Sequence, residues 1–396
     1  VDFPLQLALA RMEERGVLAD QAQLTRLHQK LGDSLALLEQ AIWREVGYEF
    51  NVASPAQLSE ALFTKLALKP TARKNKRGSY PTGAKELAKL RSAHPVIDLI
   101  IKYRELAKLK TGYADTLPKL IAPDGRIHTT FSQSITATGR LSSSNPNMQN
   151  IPARTEQGRD IKRAFIAPAG RVLVNADYAQ FELRLAAALA GDQALIRVFD
   201  DPANDVHTMT AAEAYGIAPA EVTPEQRRHA KVINFGILYG MSPHGLAEAT
   251  DMNLSEAREF IDKYFQARRP IRDYQAKVIE QAKEDGYVQT LLGRRRPVPG
   301  LRSSNTMVRE ATKRAAINLP VQGTEADLMK MAMLKVEEIA GASQIMQVHD
   351  SIMVECDEAE AERIASEMKQ IMEQIYPELG VRLLVETKIG HDWSQL

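Results

Sequence analysis

Two aspartates stand where apolar segments end or turn, which is where a rigid sheet can hold a carboxylate for metal chemistry. Asp177 closes the run RVLVNAD (171–177), and Asp350 lies in the polar tip of IMQVHDSIMV (345–354). If the two strands are neighbours, the carboxylates converge, and a divalent cation such as Mg²⁺ relieves their repulsion. Two such ions can activate a hydroxyl and stabilise a leaving phosphate. Taken singly, each aspartate is more often a turn former or a helix cap.

A second pattern is a line of two cations and two aromatic rings within RRHAKVINFGILYG (227–240). Arg227, Lys231, Phe235 and Tyr239 recur every four residues, so a helix would place them along one slowly drifting stripe. Such a stripe is unusual for a core. It fits a surface that holds a triphosphate at one end and a base or sugar at the other. The alternative is an amphipathic surface helix whose cations lie along its apolar side.

Two further segments are dense in side chains that can contact a nucleic acid. TATGRLSSSNPNMQNIP (136–152) is rich in hydrogen-bonding groups that could follow a sugar–phosphate backbone. In KRAAINLPVQG (313–323), Arg314, Asn318 and Gln322 share one side if the segment is helical. Amide side chains can reach the minor-groove acceptors that every base pair offers. The alternatives are an exposed capped turn and a plain exposed helix face.

Residues 65–77 contain six basic residues and no acidic ones, and turn formers follow them. The pattern predicts an exposed basic loop. Contact with a phosphate backbone and a merely solvated run of charge remain equal interpretations of it.

The elements that must position these groups can be predicted from periodicity. Leucines at spacings of three and four predict a long helix over residues 19–45, and a second helix is predicted over 95–110. A strand over 171–177 leads into a helix closed by Gly191. Residues 345–354 predict a hairpin with His349 and Asp350 at its tip.

One further helix is expected near the end of the chain. It is predicted to begin near Asn318, because TEAD (324–327) has the form of a capping box, and to stop at Gly341.

The composition excludes several classes of protein. The chain has 396 residues, of which 44% are hydrophobic and 26% charged, with a net charge of +1, as in a globular protein of two to four domains. No apolar stretch reaches the ~20 residues of a membrane helix, and the first residues carry charges unlike those of a signal peptide. The single cysteine, Cys356, excludes an internal disulfide and a cysteine-rich zinc site.

Three segments resemble, in order and spacing, the polymerase motifs of the bacterial DNA polymerase I family, family A: DYAQFELR (177–184), RRHAKVINFGILYG (227–240) and QVHD (347–350). Shorter segments are also similar to the family: YRELAKLK (103–110), TATGRLSS (136–143), NIP (150–152) and GHDW (390–393). The resemblance implies a DNA-templated DNA polymerase that adds deoxynucleoside monophosphates to a primer 3′-hydroxyl by two-metal catalysis and releases pyrophosphate.

The fold implied by this resemblance is an α+β right hand with an antiparallel-sheet palm, helical fingers and a helical thumb. The palm is expected at residues 1–14, 126–205 and 305–396, the thumb at 15–125 and the fingers at 206–304. Neither a proofreading domain nor a 5′ nuclease domain is expected in this chain. The implied partners are primer–template DNA and deoxynucleoside triphosphates. We expect a monomer without a membrane role, in the cytoplasm and nucleoid if the source is bacterial.

The resemblance also assigns roles to residues. Two Mg²⁺ ions, for which Mn²⁺ can substitute, are expected on Asp177, Asp350 and the backbone carbonyl of Tyr178. Lys231 is expected to act in catalysis on the departing phosphate charge. The residues expected around the incoming nucleotide are Gln180, Glu182, His207, Arg227, Lys231, Phe235 and Tyr239. The residues expected on DNA are Arg140, Gln149, Asn150, Arg314, Asn318, Gln322 and His349, with Arg73, Lys74, Lys76 and Arg77 in the basic loop.

The sequence departs from the family pattern beside the expected site. Ser351 follows Asp350 where the family often has Glu, and Ala179 and Phe181 stand where Ser and Ile are common. Single-subunit RNA polymerases of related fold also carry Ser there, but they lack the glutamate that crowds a ribose 2′-hydroxyl, expected here at Glu182. That glutamate favours DNA synthesis. A catalytically inactive primer–template binding module is the third alternative, which the intact aspartates and cations disfavour.

Overall fold

The computed structural model describes residues 1–76, 78–152, 155–201 and 203–396, so Arg77 of the predicted basic loop lies outside the described residues. The chain divides into two compact units. The first comprises Val1–Arg15, Thr129–Gln149 and Gly170–Gly390, and the second comprises Gly16–His128, Asn150–Ala169 and His391–Leu396.

The helices alternate with short irregular and 3₁₀ segments along both units. They are α1 (Asp2–Arg15), α2 (Gln21–Val46), α3 (Pro55–Glu60), α4 (Ala84–Ala88), α5 (Val96–Leu109), α6 (Glu156–Lys162), α7 (Phe181–Ala190), α8 (Gln193–Asp200), α9 (Val206–Tyr215), α10 (Pro224–Leu238), α11 (Pro243–Ala249), α12 (Leu254–Ala267), α13 (Arg269–Asp285), α14 (Thr306–Val336) and α15 (Ala361–Glu373). The strands are β1 (Val17–Leu18), β2 (Arg126–Ile127), β3 (Thr130–Ser132), β4 (Ser142–Ser144), β5 (Arg171–Tyr178), β6 (Tyr287–Gln289), β7 (Arg295–Pro297), β8 (Ser343–Val348), β9 (Ser351–Asp357) and β10 (Val385–Gly390).

An antiparallel sheet of four strands, in the order β10-β5-β9-β8, forms the centre of the first unit. Its strands β5 and β9 are buried along most of their length, and α15 packs against β5, β9 and β10. The predicted strand over 171–177 and the predicted hairpin are both confirmed. The two-residue tip of the β8–β9 hairpin is formed by His349 and Asp350, and His349 has a positive φ of 53°. Histidine, like Asn and Asp, adopts that conformation more often than most non-glycine residues do.

Helix α7 follows β5 after a sharp reversal. Gln180 precedes the helix in the left-handed region, with φ of 56°. At the other end Gly191 adopts φ of 64°, which suits glycine because it has no Cβ, and the predicted stop is confirmed.

Helix α10 is the element predicted to carry the stripe of cations and aromatic rings. Thr223 caps it, and Gln226 completes a reciprocal capping box. Its apolar side, with Ala230, Ile233 and Ile237, is buried, and α10 contacts α7 and α9. The opposite side is therefore left for polar and aromatic residues.

The prediction for the helix near the end of the chain was wrong at both ends. Helix α14 begins at Thr306, capped by Asn305, and ends at Val336 rather than at Gly341. The apparent capping box lies inside the helix, where Thr324 Oγ1 donates to the carbonyl of Pro320 at 2.6 Å. Glu325 is buried in the middle of this helix, so its side chain does not cap the helix N-terminus.

The second unit is organised around α2 and α5, which pack against each other. The predicted helices over 19–45 and 95–110 are confirmed as Gln21–Val46 and Val96–Leu109. The stripe of Leu24, Leu27 and Leu31 is buried, as its spacing predicts.

The fold is α+β, as predicted. None of the helices in the described part of the chain combines the length and the apolar character that crossing a bilayer requires.

Candidate active site

The two aspartates predicted to bind metal lie on adjacent strands of the central sheet. Asp177 on β5 pairs with Ser351 on β9, the residue that directly follows Asp350. The N–H of Tyr178 donates to the carbonyl of Asp350 at 3.0 Å. Asp177 is exposed, whereas Asp350 is half-buried. The two strands are therefore neighbours, which is the arrangement in which the sequence predicts that the two carboxylates converge.

The carboxyl of Asp350 lies beside a second buried carboxyl, that of Glu325 on α14. The two side chains lie within hydrogen-bonding contact of each other. Burial, reinforced by the charge of Asp350, raises the pKa of Glu325 well above its usual range. Burial also raises the pKa of Asp350. This pair therefore carries one negative charge more readily than two.

A single arginine joins this pair to a third carboxylate. The Arg140 guanidinium donates to both oxygens of Glu325, at 2.7 and 2.6 Å, and to Oε1 of Glu182 at 2.5 Å. The side chains of Glu182 and Glu325 are 9% and 1% exposed, so these ion pairs are largely shielded from water. We call Asp350, Glu325, Arg140 and Glu182 the carboxylate network.

Two further donors hold Glu182, which the resemblance assigns to sugar selection. The Tyr239 hydroxyl donates to Oε2 at 2.7 Å, and Nε2 of Gln322 donates to Oε1 at 3.0 Å. Gln322 Nε2 also lies 3.1 Å from the Tyr239 hydroxyl. Burial and the bond to Glu182 raise the pKa of Tyr239, which therefore remains a hydroxyl donor. Residues that the resemblance assigns to the incoming nucleotide (Tyr239) and to DNA (Arg140 and Gln322) thus meet at the Glu182 side chain.

Arg227, Lys231, Phe235 and Tyr239 all lie on the exposed side of α10 and its C-terminal cap, and we call them the cation–aromatic stripe. The predicted alignment is confirmed. Phe235 and Tyr239 are 37% and 42% exposed, which is unusual for large apolar side chains.

The cation at the N-terminal end of the stripe has a carboxylate partner. Arg227 binds Asp205 in a bidentate pair, with distances of 2.8 and 3.0 Å. Although burial opposes the shift, hydrogen bonds from Arg227 and Thr208 lower the pKa of Asp205 to about 2. Sequence reasoning did not identify Asp205, because its only sequence signal is that of a helix cap before α9.

His207 lies behind the stripe. It is 4% exposed, its Nδ1 is 3.1 Å from Nδ2 of Asn234, and its ring centroid is 5.9 Å from that of Phe235. Burial lowers the pKa of His207 to about 4, so the ring is neutral near pH 7. In this structure His207 supports Phe235 from below and does not face solvent with the two cations.

The other residues predicted to contact DNA lie on several elements of the first unit. Arg314, Asn318 and Gln322 share one side of α14, with Arg314 exposed and the other two half-buried. Gln149 donates to the carbonyl of Gln347 at 3.1 Å, close to the hairpin tip that carries His349. His349 itself is exposed.

Asn150 and the basic loop belong to the second unit. The carbonyl of Asn150 accepts a hydrogen bond from the Tyr113 hydroxyl at 2.5 Å. Arg73, Lys74 and Lys76 are exposed, as the sequence predicts, and Lys74 Nζ lies 5.2 Å from the centroid of the Tyr80 ring.

Glu325 is the principal residue of the site that sequence reasoning missed. The pattern TEAD has the form of a helix start, although Glu325 follows Gln322 by three residues and so shares its side of a helix. That spacing is the one signal that could have found it.

The side chains around Asp350 suit a hard divalent cation. Oδ1 of Asp350 is buried, and no nitrogen or hydroxyl donor among the described residues reaches it. Carboxylate oxygens are the ligands that Mg²⁺ and Mn²⁺ prefer. A separate group, Glu225, His229 and Asp251 at the start of α10 and after α11, brings its ligand atoms within 4.8 Å of one another. Asp251 of that group is already paired with Arg228.

Comparisons with known proteins agree with this geometry. The profile of DNA polymerase family A matches residues 21–395. The thermostable DNA polymerase I of Thermus aquaticus is 48% identical over 398 residues, which cover 99% of this chain and 48% of the relative. The DNA polymerase I of Deinococcus radiodurans is 45% identical over 99% of this chain and 41% of the relative.

A solved structure gives the same result for the fold. It is the POL domain of Pol1 from M. smegmatis in complex with DNA primer-template and dNTP. It is 39% identical and superposes with a TM-score of 0.92, covering 100% of this chain and 70% of that one. The chain belongs to DNA polymerase family A, and the predicted right-hand polymerase fold is confirmed. It spans about half the length of the curated relatives it matches.

Proposed function

We propose that this chain is a DNA-templated DNA polymerase, which adds a deoxynucleoside monophosphate to a primer 3′-hydroxyl and releases pyrophosphate. The observation that carries the proposal is the pairing of β5 with β9, which puts Asp177 beside the turn that holds Asp350. The similar POL domain of Pol1 from M. smegmatis was solved with DNA primer-template and dNTP, which supports the same two partners for this chain. The active form is proposed to be a monomer in the bacterial cytoplasm and nucleoid.

Asp177 and Asp350, with the backbone carbonyl of Tyr178, would hold two Mg²⁺ ions, and Mn²⁺ can take their place. When bound, these ions lower the pKa of the primer hydroxyl and balance charge on the leaving phosphates. The carboxylates must be charged and held in place to bind these ions. The register between β5, which carries Asp177, and β9, which begins directly after Asp350, fixes the backbone positions of both residues.

The cation–aromatic stripe would hold the incoming nucleotide. Arg227 must exchange Asp205 for a phosphate oxygen, because the same guanidinium edge cannot bind both. Lys231, one turn further along, can stabilise charge on the departing phosphates or donate a proton to them. Phe235 offers an exposed ring for the sugar, and Tyr239 lies where a templating base could stack.

Glu182 would select the sugar by shape. Arg140, Tyr239 and Gln322 all donate to its two oxygens, so its carboxylate is held and cannot swing aside at low cost. A deoxyribose would fit against it, whereas a ribose 2′-hydroxyl would clash.

The duplex would lie along groups that sequence reasoning assigned to DNA. Within the first unit these are Arg140, Gln149, Arg314, Asn318, Gln322 and His349. In the second unit they are Asn150 and the basic loop. We assign the palm to residues 1–14, 126–205 and 305–396, the fingers to 206–304 and the thumb to 15–125.

Primer extension in Mg²⁺ with deoxy- or ribonucleoside triphosphates tests the proposal. The protein is expected to extend an annealed primer with the complementary deoxynucleotide, and ribonucleotides are expected to be used at least tenfold less efficiently. Comparable use of both sugars would favour the RNA polymerase alternative. Tight primer–template binding without extension, in Mg²⁺ and in Mn²⁺, would contradict the proposal and support a binding module.

A further inference from the structure

The buried carboxyl of Glu325 has no part in the mechanism proposed above, yet it occupies the centre of the carboxylate network. Its side chain is 1% exposed and contacts two groups that the mechanism does use. One is Asp350, through the contact between carboxyls. The other is Arg140, which also binds Glu182. Glu325 therefore lies between the expected metal ligand and the expected sugar gate.

Burying an acidic side chain beside another carboxyl is energetically costly, which suggests that Glu325 has a role in function. A buried carboxyl loses its hydration, and a second carboxyl beside it adds repulsion. An apolar residue would fill the same space on α14 without either cost, as Ala326 and Leu328 do nearby. The Glu325 carboxylate is satisfied by Arg140, which donates to both of its oxygens.

The backbone that carries Glu325 is rigid. Helix α14 is 31 residues long, and Val321, Ala326 and Leu328 on both sides of Glu325 are buried in the unit. Asp350, by contrast, sits in a two-residue hairpin tip beside a residue with positive φ. A helix is a firmer support than a turn, so contact with Glu325 can fix the rotamer of Asp350.

We propose that Glu325 is a positioning residue that holds the Asp350 carboxyl in place and, through Arg140, ties it to the sugar gate Glu182. This inference rests on the proposed function. Removing Glu325 frees Asp350 on one side and Arg140 on the other. One substitution should therefore weaken divalent-cation binding and relax sugar selection together, although Glu325 touches neither the nucleotide nor, in this account, the metal.

The chain offers a matched control two residues away on the same helix. Asp327 is 2% exposed, and it accepts from Arg294 at 2.8 Å and from the Thr290 hydroxyl at 2.7 Å. It is thus a buried carboxylate bound to an arginine, as Glu325 is, but its partners Arg294 and Thr290 are not members of the carboxylate network. Asp327→Asn should report the cost of disturbing a buried ion pair on α14 outside that network.

The experiment compares wild type, Glu325→Ala and Asp327→Asn in three measurements. Calorimetric titration of Mn²⁺ into the DNA-free protein reads cation binding. Single-nucleotide insertion reads the ratio of ribose to deoxyribose use. Primer–template affinity and thermal unfolding report on the rest of the fold. Glu325→Gln, which keeps the volume and one acceptor for Arg140, serves as the fourth protein if Glu325→Ala does not fold.

We expect Glu325→Ala to weaken Mn²⁺ binding at least fivefold and to raise relative ribonucleotide use at least threefold, with primer–template affinity changed less than twofold. Asp327→Asn should lower the unfolding temperature and leave both site readouts near wild type. Glu325→Gln, if needed, should fall between wild type and these losses. The proposal is overturned if Glu325→Ala, or Glu325→Gln in its place, changes only the unfolding temperature as the control does. Failure of the wild type to extend a primer would instead contradict the proposed function. The difference in Mn²⁺ affinity between wild type and Glu325→Ala would still test whether Glu325 positions Asp350.

Discussion

The carboxylate network and the cation–aromatic stripe belong to the same unit but are built in opposite ways. In the network, Glu325 and Glu182 are almost fully buried, and Arg140 satisfies both. In the stripe, Lys231, Phe235 and Tyr239 are exposed, and Arg227 is held by one carboxylate that is itself partly exposed. The network is organised before substrate arrives, as groups that stabilise a transition state should be. The stripe is open, as a surface that must admit and release a nucleotide has to be.

The comparison predicts that loss of Asp350 from the network reduces the rate of chemistry, whereas loss of Arg227 from the stripe reduces nucleotide binding. The contact between Tyr239 and Glu182 is where the two meet.

Asp350→Asn should reduce primer extension at least about a thousandfold, or about 4 kcal/mol in activation free energy, because the amide removes a charged metal ligand. Primer–template binding should survive, since this carboxylate is not assigned to DNA. Single-turnover insertion and an equilibrium DNA-binding assay measure the two quantities. Asp357→Asn, at the exposed far end of the strand that begins directly after Asp350, is the matched control and should retain activity. More than a few per cent of wild-type rate in Asp350→Asn would refute the assignment.

The support behind the stripe should depend on pH. The pKa of His207 is lowered by burial to about 4, against about 6.5 in an unfolded chain, so only the unfolded chain takes up a proton between these values. Stability is therefore full above pH 6.5 and falls as the pH drops towards 4. Between pH 7 and pH 5 the loss due to His207 should approach about 2 kcal/mol.

Urea unfolding at pH 7 and at pH 5 checks this value in wild type and in His207→Gln, which cannot titrate. The variant should lose less stability over this interval by about that amount. Asp205, with a pKa of about 2, contributes only at lower pH and does not disturb the comparison. Equal losses in both proteins would contradict the expected burial of a neutral His207.

Glu182→Ala should raise ribonucleotide insertion relative to deoxyribonucleotide insertion at least tenfold, or about 1.4 kcal/mol of lost discrimination. The reason is that the shortened side chain no longer meets the 2′-hydroxyl. Competitive insertion of matched nucleotides measures the ratio. Phe235→Tyr is the control on the stripe. It should raise the use of dideoxynucleotides, because the added hydroxyl can replace the missing 3′ group, and should leave ribose use unchanged. An unaltered ratio in Glu182→Ala would show that Ala179 and Phe181 shape the gate.

Much of this division can be predicted from sequence where the signal is local. The spacing of four residues in α10 predicts the stripe, and the apolar runs that end at Asp177 and turn at Asp350 predict the two strands. The network could not be predicted in full, because Arg140 and Glu325 are 185 positions apart. Sequence periodicity places each of them on an element, but it does not say that they meet.

The error at α14 has the same origin. TEAD has the residue types of a capping box, and the local pattern does not reveal that the backbone before it is already helical. Only the packed unit distinguishes a Glu that caps a helix from Glu325, which is buried beside Asp350.

The smallest effect on chemistry is expected in the basic loop of the second unit. Replacing Arg73, Lys74, Lys76 and Arg77 with alanine should flatten the salt dependence of duplex binding, by up to about 0.9 in the logarithmic slope for each phosphate that the loop no longer neutralises. Binding measured from low to moderate salt gives the slope. The insertion rate at saturating DNA should barely change. An unchanged slope would mean that these charges are only solvated.

The division between chemistry and binding is tested most directly by one nucleotide-concentration series. It measures single-turnover insertion in Mg²⁺, at saturating primer–template, for wild type, Asp177→Asn and Arg227→Ala. The account predicts that Asp177→Asn lowers the maximal rate at least about a thousandfold, about 4 kcal/mol. Arg227→Ala should chiefly raise the nucleotide concentration for half-maximal rate, at least tenfold, because it removes a cation that binds phosphate. A maximal rate above a few per cent of wild type in Asp177→Asn, or an unchanged half-maximal concentration in Arg227→Ala, would contradict it.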